Sequence, residues 1–168
     1  MIQTIDEWSK QQAGTDCHLC LPRVAANSSL RKIVCLSASS LHLIEDQRFL
    51  GHCTLIFDDR HVTSLEELSD DEYMRFAQDL RLSVRSIRRA LQPDHSNVAL
   101  LGNRCPHLHW GIIPRYRSDP SWGKPIWEHA TSEDFRLRPK ILSEAAYAQL
   151  ILKILNQLEV AKMSHPTV

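Results

Sequence analysis

The chain of 168 residues carries 20 Lys plus Arg against 20 Asp plus Glu, with 43% hydrophobic and 24% charged residues. That balance argues against broad charge-driven binding to nucleic acid or to a membrane surface, and leaves room only for a local basic pocket. No apolar run approaches the ~20 residues that span a bilayer. The length fits one domain, 1–168, with a sizeable core. The opening residues "MIQTIDEWSKQQ" lack the apolar region of a secretory signal, which points to the cytoplasm. Five cysteines is an odd number. In a reducing compartment, close pairs of cysteines read as metal or redox sites.

In chain order, residues 1–12 suit a short helix. Leu41–Asp46 and His52–Phe57 read as strands joined by a turn at Gly51. Ser69 and Glu72 form a capping-box pattern ahead of Phe76, Leu80, Val84, Ile87 and Leu91, whose spacing predicts a long helix stopped by Pro93. Asn97–Leu101 reads as a strand, Gly102-Asn103 as a turn, and "HLHWGII" as the next strand, closed by Pro114 and antiparallel to the one before it. Tyr116–Pro139 reads as a long ordered loop. Ser143 caps a predicted helix with Tyr147, Leu150, Ile151, Ile154, Leu155 and Leu158 on one face. A sheet with segregated helices is an α+β arrangement.

The informative stretch is "CPHLHWGIIPR", Cys105–Arg115. On a strand, residues 107, 109 and 111 share a face, while Leu108, Trp110 and Ile112 turn toward a core. Two such histidines can be hydrogen-bonded sheet residues or a metal clip. They also suit a third use. A neutral imidazole with one ring nitrogen fixed by a hydrogen bond is a nucleophile able to carry a phosphoryl or nucleotidyl group.

"GHCTLIFDDRHVTSLEELSDDE", "NVALLGN" and "PHLHWGIIPR" together resemble the histidine triad (HIT) superfamily, and "RYRSDPSWGKPIW" resembles a bacterial branch of it. The likeness covers about 17–127, followed by a C-terminal helical extension at about 141–163. It implies a HIT-like α+β fold with a central antiparallel sheet, a homodimer, and attack on the α-phosphate of a nucleotide conjugate. The substrate would be a dinucleoside polyphosphate or a nucleoside phosphoramidate, cleaved by a hydrolase or transferase through a nucleotidyl-histidine. The middle histidine of the motif, the nucleophile, falls on His109, and the first falls on His107. The third falls on Gly111, which has no side chain to donate to phosphate or leaving group. That departure keeps a second function open: a HIT-fold nucleotide-binding or interaction protein without turnover. Shifting the motif to Cys105, His107 and His109 fills three positions but misplaces the ending "HWGIIPR".

"CHLC" sets Cys17 and Cys20 at a spacing suited to one zinc ion, or leaves two free thiols. The resemblance implies structural zinc, not required for the chemistry, with His61 and His107 as the further ligands. His18, His52, Cys53 and Cys105 are weaker candidates. By the same resemblance, Asn97 and Asn103 contact phosphate or ribose, and Gly111 and Arg115 border the phosphate. The alternatives are a turn-forming Asn103 and a solvent-facing Arg115. Glu45 and Asp46 mark a ribose position or a solvated turn, and Trp122 and Trp127 a pocket cover or ordinary packing. Arg81, Arg85, Arg88 and Arg89 read as a solvated helix face.

Overall fold

The computed structural model describes residues 4–20, 29–119, 122–126 and 139–163. Residues 120–121 and 127–138 of the loop expected over 116–139, Trp127 included, lie outside that set.

Five strands form one antiparallel sheet: β1 (Leu30–Cys35), β2 (Ser39–Ile44), β3 (Cys53–Phe57), β4 (His95–Ala99) and β5 (His109–Arg115), in spatial order β1-β2-β3-β5-β4. Among the described residues three α-helices accompany it: α1 (Ile5–Gln12), α2 (Asp70–Leu91) and α3 (Glu144–Met163). The fold is α+β, as the alternation of patterns implies.

Directly opposed residues of an antiparallel pair face the same side. The register therefore sorts the sheet into two faces. Leu41, Leu43, Cys53, Leu55, Phe57, Leu108 and Ile112 belong to the core, with Phe76 and Ile87 of α2 and Tyr147, Leu150, Ile154 and Leu158 of α3. The opposite face carries Ser40 and His42 of β2, Thr54 and Ile56 of β3, and His109 and Gly111 of β5.

α2 begins where its capping box lies. Ser69 Oγ accepts from Glu72 N–H, and the Glu72 carboxylate accepts from Ser69 N–H. The helix stops at Leu91 because Gln92 turns left-handed at φ 49°, one residue before Pro93. Asp79, buried on α2, accepts from Ala38 N–H at 2.8 Å and Ser39 Oγ at 2.7 Å, clamping the helix to the β1–β2 turn. Ser143 Oγ accepts from Ala146 N–H at 3.3 Å at the start of α3. Arg31 joins β1 to α3 by a two-point contact with Glu144 at 2.7 and 2.8 Å and by stacking 4.0 Å above the Tyr147 ring. Gly51 turns β2 into β3 at φ 84°, pressed against Leu91 so closely that a Cβ would collide with it.

Several boundaries differ from expectation, and β2 runs from Ser39 to Ile44, two residues earlier than the expected 41–46. β1, which weak alternation conceals, pairs with β2 through an irregular register between Lys32 and Val34. β4 runs two residues earlier than expected, because its ladder begins at His95↔Arg115. β5 runs from 109 to 115, so Pro114 lies within it instead of closing it. The β3 ladder ends at Ile112, so the missing N–H of Pro114 breaks nothing on that side. His107 and Leu108 precede the strand. Leu108 donates to the Val62 carbonyl at 2.8 Å and accepts from Phe57 N–H at 3.1 Å, which diverts the chain from the regular ladder.

Candidate functional site

That diversion places His107 beside the N-terminal segment. Cys17, Cys20, His61 and His107 come together with one ligand atom each, all within 4.8 Å of one another. Cys17 Sγ is 3.3 Å and Cys20 Sγ 3.8 Å from His107 Nδ1, Cys20 Sγ is 3.6 Å from His61 Nδ1, and the two Nδ1 atoms are 3.2 Å apart. A tetrahedral zinc site with metal–nitrogen bonds of ~2.05 Å and metal–sulfur bonds of ~2.3 Å has edges of about 3.3 Å between nitrogens and about 3.6 Å between nitrogen and sulfur. The donor spacing fits such an ion.

The histidines are preset for it. His107 Nε2–H donates to the Phe57 carbonyl at 2.7 Å, and His61 Nε2–H donates to the Gln12 carbonyl at 3.0 Å. Each bond leaves the Nδ1 lone pair facing the cluster, the outer-shell arrangement that metal-binding imidazoles use. The Cys17 thiol is held well below its ordinary range, first by a hydrogen bond from Cys105 and then by His107, which favours the thiolate a metal takes. Sequence reading ranked Cys105 low as a ligand, and here it supports Cys17. Cys53 lies in the core, where burial pushes its thiol up. His18 is exposed and outside the cluster.

His109, at the start of β5, is half-buried. Its Nδ1–H donates to the His107 carbonyl at 2.6 Å, and Nε2 has no hydrogen-bond partner among the described residues. Burial holds its pKa below the ordinary histidine value, so the imidazole is neutral near pH 7. Gly111 lies opposite Thr54 on one side and Ala99 on the other. A Cβ there would meet nothing closer than Ile113 Cδ1 at 3.4 Å and the Ala99 carbonyl oxygen at 3.6 Å.

The remaining expected residues separate. Arg115 stands at the far end of β5, about 20 Å of strand from His109. It is 3% exposed and spends its donors on Asp119 (2.9 Å), Asn97 Oδ1 (2.8 Å) and the Lys124 carbonyl (2.9 Å). Asn97 thus joins Arg115 and not His109. Asn103 is exposed in the β4–β5 connection. Asp46 is taken up by Arg48 and by Lys140 N–H, and Glu45 lies 3.8 Å from Arg31. A cavity of about 560 Å³ lies against Asn97, Ala99, Arg115, Trp122 and Lys124. The cavity follows the β4 edge of the sheet: Asn97 and Ala99 share the His109 face, Val98 points to the other, and His109 itself does not line it.

Sequence reasoning passed over one polar group on the His109 face. His42 Nε2 is 2.8 Å from Ser40 Oγ, which in turn donates to Asp58 Oδ1 at 3.1 Å. The Ser-x-His alternation of β2 was its only signal.

Among known families, residues 37–118 match the one described as the HIT domain. The match takes in just under half of the chain. The matched residues contain His61, His107, His109 and Gly111, whereas Cys17 and Cys20 precede them. An uncharacterised HIT-like protein of Methanocaldococcus jannaschii is 29% identical over 73 residues. That match takes in 41% of this chain and 56% of the relative, little more than half of its length. A histidine triad protein of Sinorhizobium meliloti superposes with a TM-score of 0.70 at 20% identity, over 85% of this chain and 98% of that one. A zinc-bound histidine triad family protein of Mycobacterium smegmatis superposes with a TM-score of 0.61 at 15% identity, over 89% and 98%. Both share the fold of the HIT domain and its surroundings. Among the described residues, no helix is long and apolar enough to cross a membrane.

Proposed function

We propose that this HIT domain is a cytoplasmic nucleotide hydrolase or transferase in which His109 attacks the α-phosphate of a nucleotide conjugate. The observation that carries the reading is the His109 tautomer. Its Nδ1–H is spent on the His107 carbonyl, so the neutral Nε2 lone pair is the reactive one. As the P–N bond forms, the leaving group departs with the electrons of its bond to phosphorus. The imidazolium then carries the nucleotidyl group, steadied by the same carbonyl. The cavity along the β4 edge would receive part of the conjugate, with Asn103 beside the phosphate and the Arg115–Asn97 pair walling the cavity.

Gly111, at the position of the third histidine, bears on the substrate. An amine leaving group must gain a proton as its bond to phosphorus breaks, and glycine has none to give. A polyphosphate departs as an anion without one. Dinucleoside polyphosphates are therefore the better class, and phosphoramidates the poorer. The second reading, a nucleotide-binding protein without turnover, rests on the same glycine.

Cys17, Cys20, His61 and His107 would hold a structural zinc ion that ties α1, the β3–α2 connection and the approach to β5 together. No chemical step needs it. The relationship to the HIT superfamily, here to its bacterial branch, also implies a homodimer, with no membrane or nucleic-acid partner.

The test compares wild type, His109→Ala and Gly111→His on a dinucleoside polyphosphate and a nucleoside phosphoramidate. Wild type should cleave the polyphosphate, His109→Ala should lose at least ~10,000-fold of that activity, and Gly111→His should gain ~100-fold on the phosphoramidate. Nucleotide binding with no turnover of either compound by wild type would establish the second reading instead.

A further inference from the structure

Across the sheet, Lys32, His42, Thr54, Gly111 and Ala99 form one row spanning all five strands. Ser40, Ile56 and His109 form the next row on the same face. His42 is 1% exposed and Thr54 5%, yet His42 Nδ1 and Thr54 Oγ1 have no hydrogen-bond partner among the described residues. These are neighbours, since His42 and Thr54 oppose each other in the β2–β3 ladder. Beyond Thr54 the row has no side chain at Gly111, where a Cβ would make ordinary contact with Ile113 Cδ1 and the Ala99 carbonyl oxygen.

The proton positions follow from the bonds. Ser40 gives its single hydroxyl proton to the Asp58 carboxylate, so Ser40 Oγ accepts from His42 Nε2–H. His42 Nδ1 is then a bare lone pair. Burial, with Lys32 nearby, lowers the His42 pKa to about 4, so the ring rests neutral. Two orphaned, buried polar atoms on directly opposed residues are what one bound water can satisfy. The ring leans along β2 toward the His109 row. The Cα atoms of His42 and His109 are about 12 Å apart, two strand spacings across and two residues along, with Thr54 and Ile56 of β3 between them.

We infer that His42 is the water-activating base of this HIT domain, with Thr54 holding the water that hydrolyses the nucleotidyl–His109 bond. The step rests on the covalent reading above. The water gives one proton to His42 Nδ1, and its oxygen forms the new bond to phosphorus. The P–Nε2 bond breaks, and its electron pair returns to His109. The nucleoside monophosphate leaves, and His42 returns its proton to solvent. Ser40 and Asp58 act as positioning residues that carry part of the transient charge on His42. A hydrolytic base on β2 also explains how a face missing its third motif side chain can complete turnover.

The experiment follows a dinucleoside polyphosphate through single turnover, with an alkaline quench and intact-mass detection of nucleotidyl-His109. His42→Ala should form the adduct at the wild-type rate and hydrolyse it ~100- to 10,000-fold more slowly, so the adduct accumulates. Thr54→Val, close in shape, should slow the same step ~10-fold and stands in if His42→Ala does not fold. Adduct hydrolysis at the wild-type rate in both variants overturns the inference while leaving the covalent reading intact. Equal losses in adduct formation and hydrolysis also overturn it, because His42 would then be structural. No adduct and no turnover in wild type removes the covalent reading, and this step with it.

Discussion

The approach to β5 and the far end of the same strand are built from similar side chains but leave different atoms free. At the approach, His107 and His61 have one nitrogen tied to a carbonyl and the other aimed into a four-donor cluster. At the far end, Arg115 is buried against Asp119, Asn97 and the Lys124 carbonyl. Between them lie His109 Nε2, unpartnered among the described residues, and His42 Nδ1, buried without a partner. Satisfied polar groups hold a fold together, and unsatisfied buried ones mark where something else must bind. The strand therefore has a cluster of potential metal donors, an unpartnered imidazole and a buried ion pair in succession.

The largest way to break this contrast is at the donor cluster. Purified protein should contain close to one zinc per chain. Removing it by chelation, or by Cys17→Ser, should lower Tm by about 10 °C or more, since several kcal/mol of linked folding energy is lost and each kcal/mol shifts a chain of this size by ~2–4 °C. Metal analysis and a thermal melt check it. An unchanged Tm after metal loss would remove this structural role.

Arg115→Met tests the buried ion pair. Breaking a buried, hydrogen-bonded ion pair from one side costs about 3 kcal/mol or more. Urea unfolding should show that loss, with nucleotide affinity changed less than about threefold. A selective loss of affinity at unchanged stability would return Arg115 to the phosphate.

Much of this was legible in the sequence, and the exceptions have physical causes. Ser69 and Glu72 announced the start of α2 because a capping box is local chemistry. The four-donor cluster came through the resemblance, since no local pattern brings Cys17 beside His107 across 90 positions. His107 was taken for a strand residue because alternation is blind to the backbone bonds from Leu108 that end the ladder. The buried contacts of Arg115 were not legible because its position on β5, and its partner Asp119, are set by register and by a turn that follows. His42 was overlooked because one histidine in an apolar strand has no signature until Thr54 is known to lie opposite.

Acid stability sharpens the unpartnered imidazole of His42. Unfolded, His42 takes a proton near pH 6.5, whereas the native ring does so only at about 4. Between those values the unfolded chain binds the extra proton, so stability falls as pH drops through that window, by roughly 3 kcal/mol in all. Burial raises the Asp58 pKa, which offsets part of this loss, so the comparison with His42→Ala isolates the histidine's share. Denaturation at pH 7 and pH 4.5 should show wild type losing more than His42→Ala. Equal losses would mean the ring is not buried neutral.

The smallest predicted effect concerns Gly111, and its sign separates an open position from a packed one. The glycine is outside the left-handed region, and an added methyl would make ordinary contact with Ile113 Cδ1 at 3.4 Å and the Ala99 oxygen at 3.6 Å. Alanine restricts the unfolded chain more than glycine does, which at a compatible position stabilises by about 0.4–1 kcal/mol. Gly111→Ala should therefore raise stability slightly in urea unfolding, without gaining activity on a phosphoramidate, because a methyl group supplies no proton. A loss of stability would show that the row between Thr54 and Ala99 is already filled, and the place assigned to phosphate and water there would have to move.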